Sequence, residues 1–382
     1  MRSSPRPAAM LDFTSALYLG TPRLSVPAGL ALTTGYPAAL QEPGWHRRVA
    51  AAVARRQGLE TGLLAPSTLH LFWDVLTLAP AAAVIFVDEA MYPVGQWGAS
   101  RALLRGLPVV AFAADNLPDL RRRLLTYRQQ GRTPWLLTDG WRLAQGPAPL
   151  SAYLNLLRPD PRSVLLLDDT QAFGVVGAAP TPERPLGQGG GGTLPYLGLR
   201  GPGILSITSL AKGLGVPVAV LAGSRAWLAR FGRHAATRVH SSPVSNWHAW
   251  AAGQALTRDA AGAGDQARHQ LGRRIGELRA ALAGWPLSGG WFPVQKLLLP
   301  TAGAVLCLQH YLEQRGVRAL LLADARRPTV PQLAFCLRAD HSAADVARLA
   351  GHLLAWAAAP PPPAPSSSNS LNSLRHEYDA QS

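Results

Sequence analysis

The sequence predicts an α/β protein: a large domain on a doubly wound, mostly parallel sheet, followed by a smaller α+β domain. Two observations carry this. Short, wholly apolar runs alternate with helix-period stretches through the first two thirds of the 382 residues, as they must where strands are buried on both faces and helices cross between them. An Ala-rich helical tract at about 246–284 then gives way to a mixture of short strands and helices.

In chain order, residues 1–45 form an N-terminal segment, and 46–58 (HRRVAAAVARRQG) is an amphipathic stretch that opens the large domain, 46–245. Helical patterns at 67–78, 93–105, 117–130 and 149–157 alternate with the apolar runs 83–87 (AVIFV), 108–113 (PVVAFA), 134–138 (PWLLT) and 163–167 (SVLLL). Two more apolar runs, 203–208 (GILSIT) and 217–222 (PVAVLA), complete the predicted strands of that domain. The small domain, 246–358, starts with its connecting helix and continues through 292–299, 304–315, 317–322, 332–338 and 342–357. Residues 359–382 open on a proline run and continue in serine and asparagine, which predicts a disordered tail.

Composition removes several classes of function. Two cysteines cannot form a disulfide framework or a zinc site of ordinary spacing, which fits a reducing compartment. The first 20 residues lack the apolar core of a secretory signal, and Met10 offers an alternative start. No window reaches the roughly 18 apolar residues of a membrane span, so the expectation is a soluble cytoplasmic protein with no membrane partner. The net charge of +15 could attract a nucleic acid or another polyanion, but the arginines are scattered through amphipathic segments such as 268–282 and form no aromatic-interleaved stripe. Nucleic-acid binding is therefore not expected. Of the 37 basic residues, only Lys212 and Lys296 are lysine.

Residues 187–192 (GQGGGG) satisfy the G-x-G-x-x-G pattern only by being nearly all glycine. They follow a proline-rich stretch rather than a strand, so they read as a flexible loop, not a dinucleotide site. There is no P-loop, no nucleophile elbow and no metal-ligand spacing among the ten histidines.

Three features combine into one chemistry. The run 163–167 ends in Asp168 and Asp169, at the sheet edge where open α/β sheets place ligands. The run 203–208 is followed by Ser209 and Lys212, and Pro66, Ser67 and Thr68 precede a helical run whose N-terminus can seat a phosphate. An amine, a buried carboxylate and a phosphate seat are what pyridoxal 5'-phosphate requires: a Schiff-base lysine, a partner that keeps the pyridine nitrogen protonated, and an anion site.

Further blocks follow one another along the chain: LDFTSALYLG (11–20), TDGWRLAQGPAPL (138–150), LLLDDTQAFGVVG (165–177), SITSLAKGLGVPVAVLAG (206–223), and RRPTVP (326–331) with LRADHSAADVARL (337–349). Their order and content resemble the α-oxoamine synthase group of fold-type I pyridoxal phosphate transferases, over about 11–355. The resemblance implies that Lys212 carries the cofactor, that Asp168 pairs with its pyridine nitrogen and that Ser209 contacts its phosphate. It also implies that Ser67 and Thr68 fall where backbone amides hold the phosphate, that Tyr92 stacks on the cofactor ring in place of a histidine, and that Ser242 is donated across a homodimer interface.

Departures accompany the matches. Gln171 stands where the family has a histidine, which leaves acid and base work to Lys212. The arginine that holds the substrate carboxylate is missing from 331–337, where Gln332 or Ala334 sits and Arg326 and Arg327 are the nearest replacements. The resemblance implies condensation of an amino acid with acyl-CoA or another acyl thioester; an aminotransferase on the same fold and a catalytically altered cofactor-binding paralogue are the alternatives.

Overall fold

The computed structural model describes residues 10–20, 24, 27–114, 116–323 and 329–358. The expected tail 359–382 and the candidate residues Arg326 and Arg327 lie outside the described residues. The chain divides into two compact units, one of Leu19–Arg142 with Gly146–His269, the other of Met1–Tyr18, Leu143–Gln145 and Gln270–Ser382. The division falls at 269/270, whereas the sequence suggests 245/246: residues 246–269 contact the larger unit and belong to it.

The larger unit is built on seven strands: β1 (Thr61–Ala65), β2 (Ala83–Asp88), β3 (Val109–Phe112), β4 (Thr133–Asp139), β5 (Val164–Asp168), β6 (Ile204–Ser209) and β7 (Ala219–Gly223). Their order across the sheet is β1-β7-β6-β5-β4-β2-β3. All ladders are parallel except those of β7, which runs against both β1 and β6. The sheet is therefore mixed but mostly parallel, as expected. β1 is the strand that the apolar-run reading omits.

Period-two alternation sorts the strand residues into two cores. Val84, Phe86, Leu136, Leu165, Leu167 and Val220 pack on one face. Helices α1 (Gly44–Arg56), α4 (Leu117–Gln129) and α5 (Leu150–Leu157) cover that face. Ile85, Val87, Trp135, Leu137, Leu166 and Ile207 pack on the other, under α2 (Thr68–Val75), α3 (Pro93–Leu104) and the helix Arg225–His234. Burial on both faces explains why these strands read as unbroken apolar runs.

The Ala-rich tract resolves into helices Asn246–Arg258 and Gly264–Ala281 around a wide turn at Asp259–Ala263, where Gly262 has φ +98°. Just beyond the turn the buried Arg268 donates to Asp259 (2.9 Å), to Asp265 (2.7 Å) and to the Gly174 carbonyl (2.8 Å). The 187–192 stretch is no loose linker: the Gly189 N–H donates to Asp265 (2.9 Å), and a Cβ on Gly190 would lie 2.4 Å from the Arg268 guanidinium.

The smaller unit has a four-stranded antiparallel sheet in the order Leu287–Ser288, Val294–Leu297, Gln332–Cys336, Leu320–Leu322, with helices Ala302–Glu313 and Ala343–Ala358. Leu11–Asp12 pairs in parallel with Val317–Arg318. Among the described residues, no helix is long and apolar enough to cross a membrane.

Candidate active site

The carboxyl ends of β1, β6, β5, β4 and β2 share one edge of the sheet, because Ala65 and Ser209 both pair with Ala219 and Asp168 pairs with Asp139. Adjacent side chains at a strand end point to opposite faces, and this separates the two aspartates of the DD pair. Asp168 falls on the face of α2 and α3. Asp169 falls on the other, where it accepts from the Thr193 hydroxyl (2.6 Å) and the Thr193 N–H (3.1 Å). Gln57 is also close to Asp169 and donates to Ser206 and Thr208, each at 2.9 Å, in the same buried network. Burial raises Asp169 to about 7.

Asp168 is buried, and its Oδ1 accepts the Thr170 N–H at 2.9 Å. Burial raises its pKa, and the Thr170 contacts and the Lys212 charge act in the opposite sense. The Thr170 hydroxyl in turn accepts the Ser209 N–H at 3.0 Å, and Ser209 Oγ accepts from the Ala211 N–H at 3.3 Å, which ties the turn after β5 to the turn that carries Lys212. The two turns meet through glycines: a Cβ on Gly213 would sit 2.2 Å from the Phe173 carbonyl and 2.9 Å from Gly174. Only glycine lets the backbone beside Lys212 approach the end of β5 so closely.

Lys212 is half-buried, with Nζ 5.9 Å from the centre of the Tyr92 ring. Tyr92 is exposed and ends the turn after β2, at the N-cap of α3, with Pro93 in the first turn. Its N–H donates to Asp139 Oδ2 at 3.1 Å. The sequence reading passed over Asp139; the signal it offered was a second acid at a strand end, in TDG, of the same kind as Asp168. Asp139 rises well above the carboxylate range because of burial first, then Asp168 and Asp88. Its Oδ1 is enclosed and has no hydrogen-bond partner among the described residues. Thr170 was also missed, since a threonine after DD has no signature of its own.

Ser67 is the N-cap of α2 in an extended conformation, and Thr68 is the first helical residue. The Ser67 hydroxyl is hydrogen-bonded to His70 Nδ1 (2.8 Å) and does not cap the helix, so the first-turn amides have no side-chain cap. Gln171 lies half-buried in the turn after Asp168. These residues share the sheet edge. Ser242 stands apart, exposed on the loop 241–245, with no hydrogen bond to this cluster among the described residues. Gln332 opens a strand of the smaller unit and the buried Ala334 follows it, paired with Lys296 and Leu320.

An aldehyde-bearing pyridine with a phosphate fits this edge. It offers an amine, a desolvated carboxylate whose ionisation calls for a cation beside it, an aromatic ring near that amine, and hydroxyls with free helix amides for an anion. The enclosed Asp139 Oδ1 is a further polar atom awaiting a partner.

No family model matches the chain. A protein from Thermosynechococcus vestitus with the provisional name 8-amino-7-oxononanoate synthase is 29% identical over 371 residues, 92% of this chain and 89% of that protein. The 8-amino-7-oxononanoate synthase of Cupriavidus metallidurans is 33% identical over 213 residues; there the match spans 53% of this chain and about half, 49%, of the relative. Among solved structures, serine palmitoyltransferase from S. paucimobilis superposes with a TM-score of 0.77 at 15% identity, covering 91% of this chain and 87% of that one. The 8-amino-7-oxononanoate synthase of Francisella tularensis superposes at 0.68 and 16% identity, covering 92% and 99%.

The mixed seven-stranded sheet, with a lysine and an aspartate at its carboxyl edge, has the fold-type I architecture of the pyridoxal phosphate enzymes it superposes on. Within that fold the chain is similar in sequence to 8-amino-7-oxononanoate synthases.

Proposed function

We propose that the protein condenses an amino acid with an acyl thioester, coenzyme A being one possible carrier, on pyridoxal 5'-phosphate held at the carboxyl edge of the sheet. The observation that carries this reading is Lys212, one of two lysines in the chain, placed beside Asp168, Asp139 and the Tyr92 ring. When bound, the cofactor supplies an electron sink that makes the amino-acid Cα–H acidic. Asp168 would hold the pyridine nitrogen in its charged form. Ser209 Oγ and the α2 amides, with Ser67 and Thr68, would hold the phosphate, and Tyr92 would pack against the ring.

The Lys212 amine would take the proton from the amino-acid Cα and return one after acylation. Gln171 orients by hydrogen bonding and does not titrate, so that proton has no other carrier at its position.

We further propose a cytoplasmic homodimer. The support is a set of large apolar side chains left exposed on α2 and α3, namely Leu69, Trp73, Trp97 and Leu104, beside the exposed Tyr92.

Incubation with a panel of amino acids, with and without acyl-CoA, tests the reaction. Free thiol released only when both are present supports condensation. Keto acid formed without acyl donor would instead show an aminotransferase, and neither product with any pair would show a paralogue that has lost the chemistry.

A further inference from the structure

Asp139 and Asp168 are register partners in adjacent parallel strands, so their side chains leave the same face of the sheet at the same edge. Asp88, at the end of β2, adds a third acid at that edge; its carboxyl is already engaged by the Thr138 hydroxyl (2.9 Å) and the Ala90 N–H (2.9 Å). Asp168 and Lys212 act on Asp139 from its own face of the sheet and Asp88 from the opposite face, with the Tyr92 N–H on its Oδ2. One lysine cannot neutralise two carboxylates side by side in a desolvated setting, and such a pair keeps a proton. Asp168 has the Thr170 N–H on its Oδ1, which favours its charged form. Asp139 has one backbone donor on Oδ2, and its enclosed Oδ1 is without a partner among the described residues.

We propose that Asp139 is a positioning residue: it ties the Tyr92 turn to the sheet edge and carries the proton of the facing pair, leaving Asp168 as the ionised carboxylate. Burial and the like charge of Asp168, which raise Asp139 well above the carboxylate range, agree with this assignment. A neutral Asp139 retains its acceptor for Tyr92, and Asp168 is spared a second anion that would compete for Lys212. Asparagine has the same shape and the same acceptor and lacks the charge, so it mimics the state proposed here; alanine removes both.

The inference rests on the cofactor site proposed above, but its first test needs no cofactor. Thermal unfolding of cofactor-free wild type, Asp139→Asn and Asp139→Ala is followed from pH 4.5 to 8.5. A carboxyl raised in the folded state weakens folding increasingly as pH climbs from its unfolded value toward its folded one. Asp139→Asn should therefore gain on wild type as pH rises, with the smallest difference at pH 4.5, and Asp139→Ala should unfold below Asp139→Asn at every pH. In a second test, titration with pyridoxal phosphate should give Asp139→Asn an affinity within about twofold of wild type. The loss for Asp139→Ala should be about tenfold, the worth of one hydrogen bond holding Tyr92.

A stability difference between Asp139→Asn and wild type that does not vary with pH, or falls as pH rises, would overturn the proton assignment. Equal affinities for the asparagine and alanine variants would overturn the positioning role. If wild type and Lys212→Ala bind pyridoxal phosphate alike and without colour, the cofactor site itself fails, and the cofactor-free comparison still decides where the proton lies.

Discussion

Replacement of Asp169 by asparagine should stabilise the protein at alkaline pH and not at acid pH. Asp169 is fully buried on the face of the sheet away from Lys212, held by Thr193, and raised from 3.8 to about 7. In the unfolded chain the group ionises near its ordinary value, so the folded state binds the extra proton and loses stability as pH rises between the two. At about 1.4 kcal/mol for each pH unit, the loss reaches about 4 kcal/mol above pH 7 and is about 1 kcal/mol at pH 4.5. Asparagine removes that loss and still offers Thr193 an acceptor. Its amide N–H₂ must find acceptors in the buried network, at a cost of about 1–2 kcal/mol. The net expectation is a gain of about 2–3 kcal/mol at pH 8 and a small loss at pH 4.5. Urea unfolding followed by circular dichroism at the two pH values reads this directly. A variant destabilised equally at both would show that Asp169 is ionised and stabilising, which contradicts the reasoning.

Other outcomes follow from the same geometry. Gly213→Ala must push a Cβ against the Phe173 carbonyl at 2.2 Å and so move the turn that bears Lys212. It should cost about 1–3 kcal/mol of stability and lower pyridoxal phosphate affinity more than tenfold, read by calorimetric unfolding and by cofactor titration. Gln171→His puts a titrating ring where wild type has an amide; its pH–rate profile should acquire an inflection near about 6.5 that wild type lacks.

Strands buried on both faces announce themselves, so the apolar runs located β2 to β7 to within one or two residues and placed Asp168, Ser209 and Lys212 at strand ends. Strand direction leaves no trace in such runs, which is why the reversal of β7 was invisible. β1 was hidden because TGLLA is short and leads straight into the residues read as a helix start. The site was legible where one residue type has one chemical use, as with a lysine in an arginine-rich chain. It was illegible where the meaning lies in distance: Asp139 meets Tyr92 across 47 residues and Asp168 across a strand pairing. The 187–192 glycines resemble a linker in sequence because nothing local shows that Arg268 and Asp265 pack against them.

The central claim is that Lys212 carries pyridoxal phosphate at this sheet edge, and the visible spectrum of the purified protein with added cofactor tests it most directly. Wild type should be yellow, with a band at about 420 nm from the Schiff base, and Lys212→Ala should lack that band while Lys296→Ala keeps it. A band that survives in Lys212→Ala, or is lost in Lys296→Ala, would place the chemistry elsewhere and contradict the account.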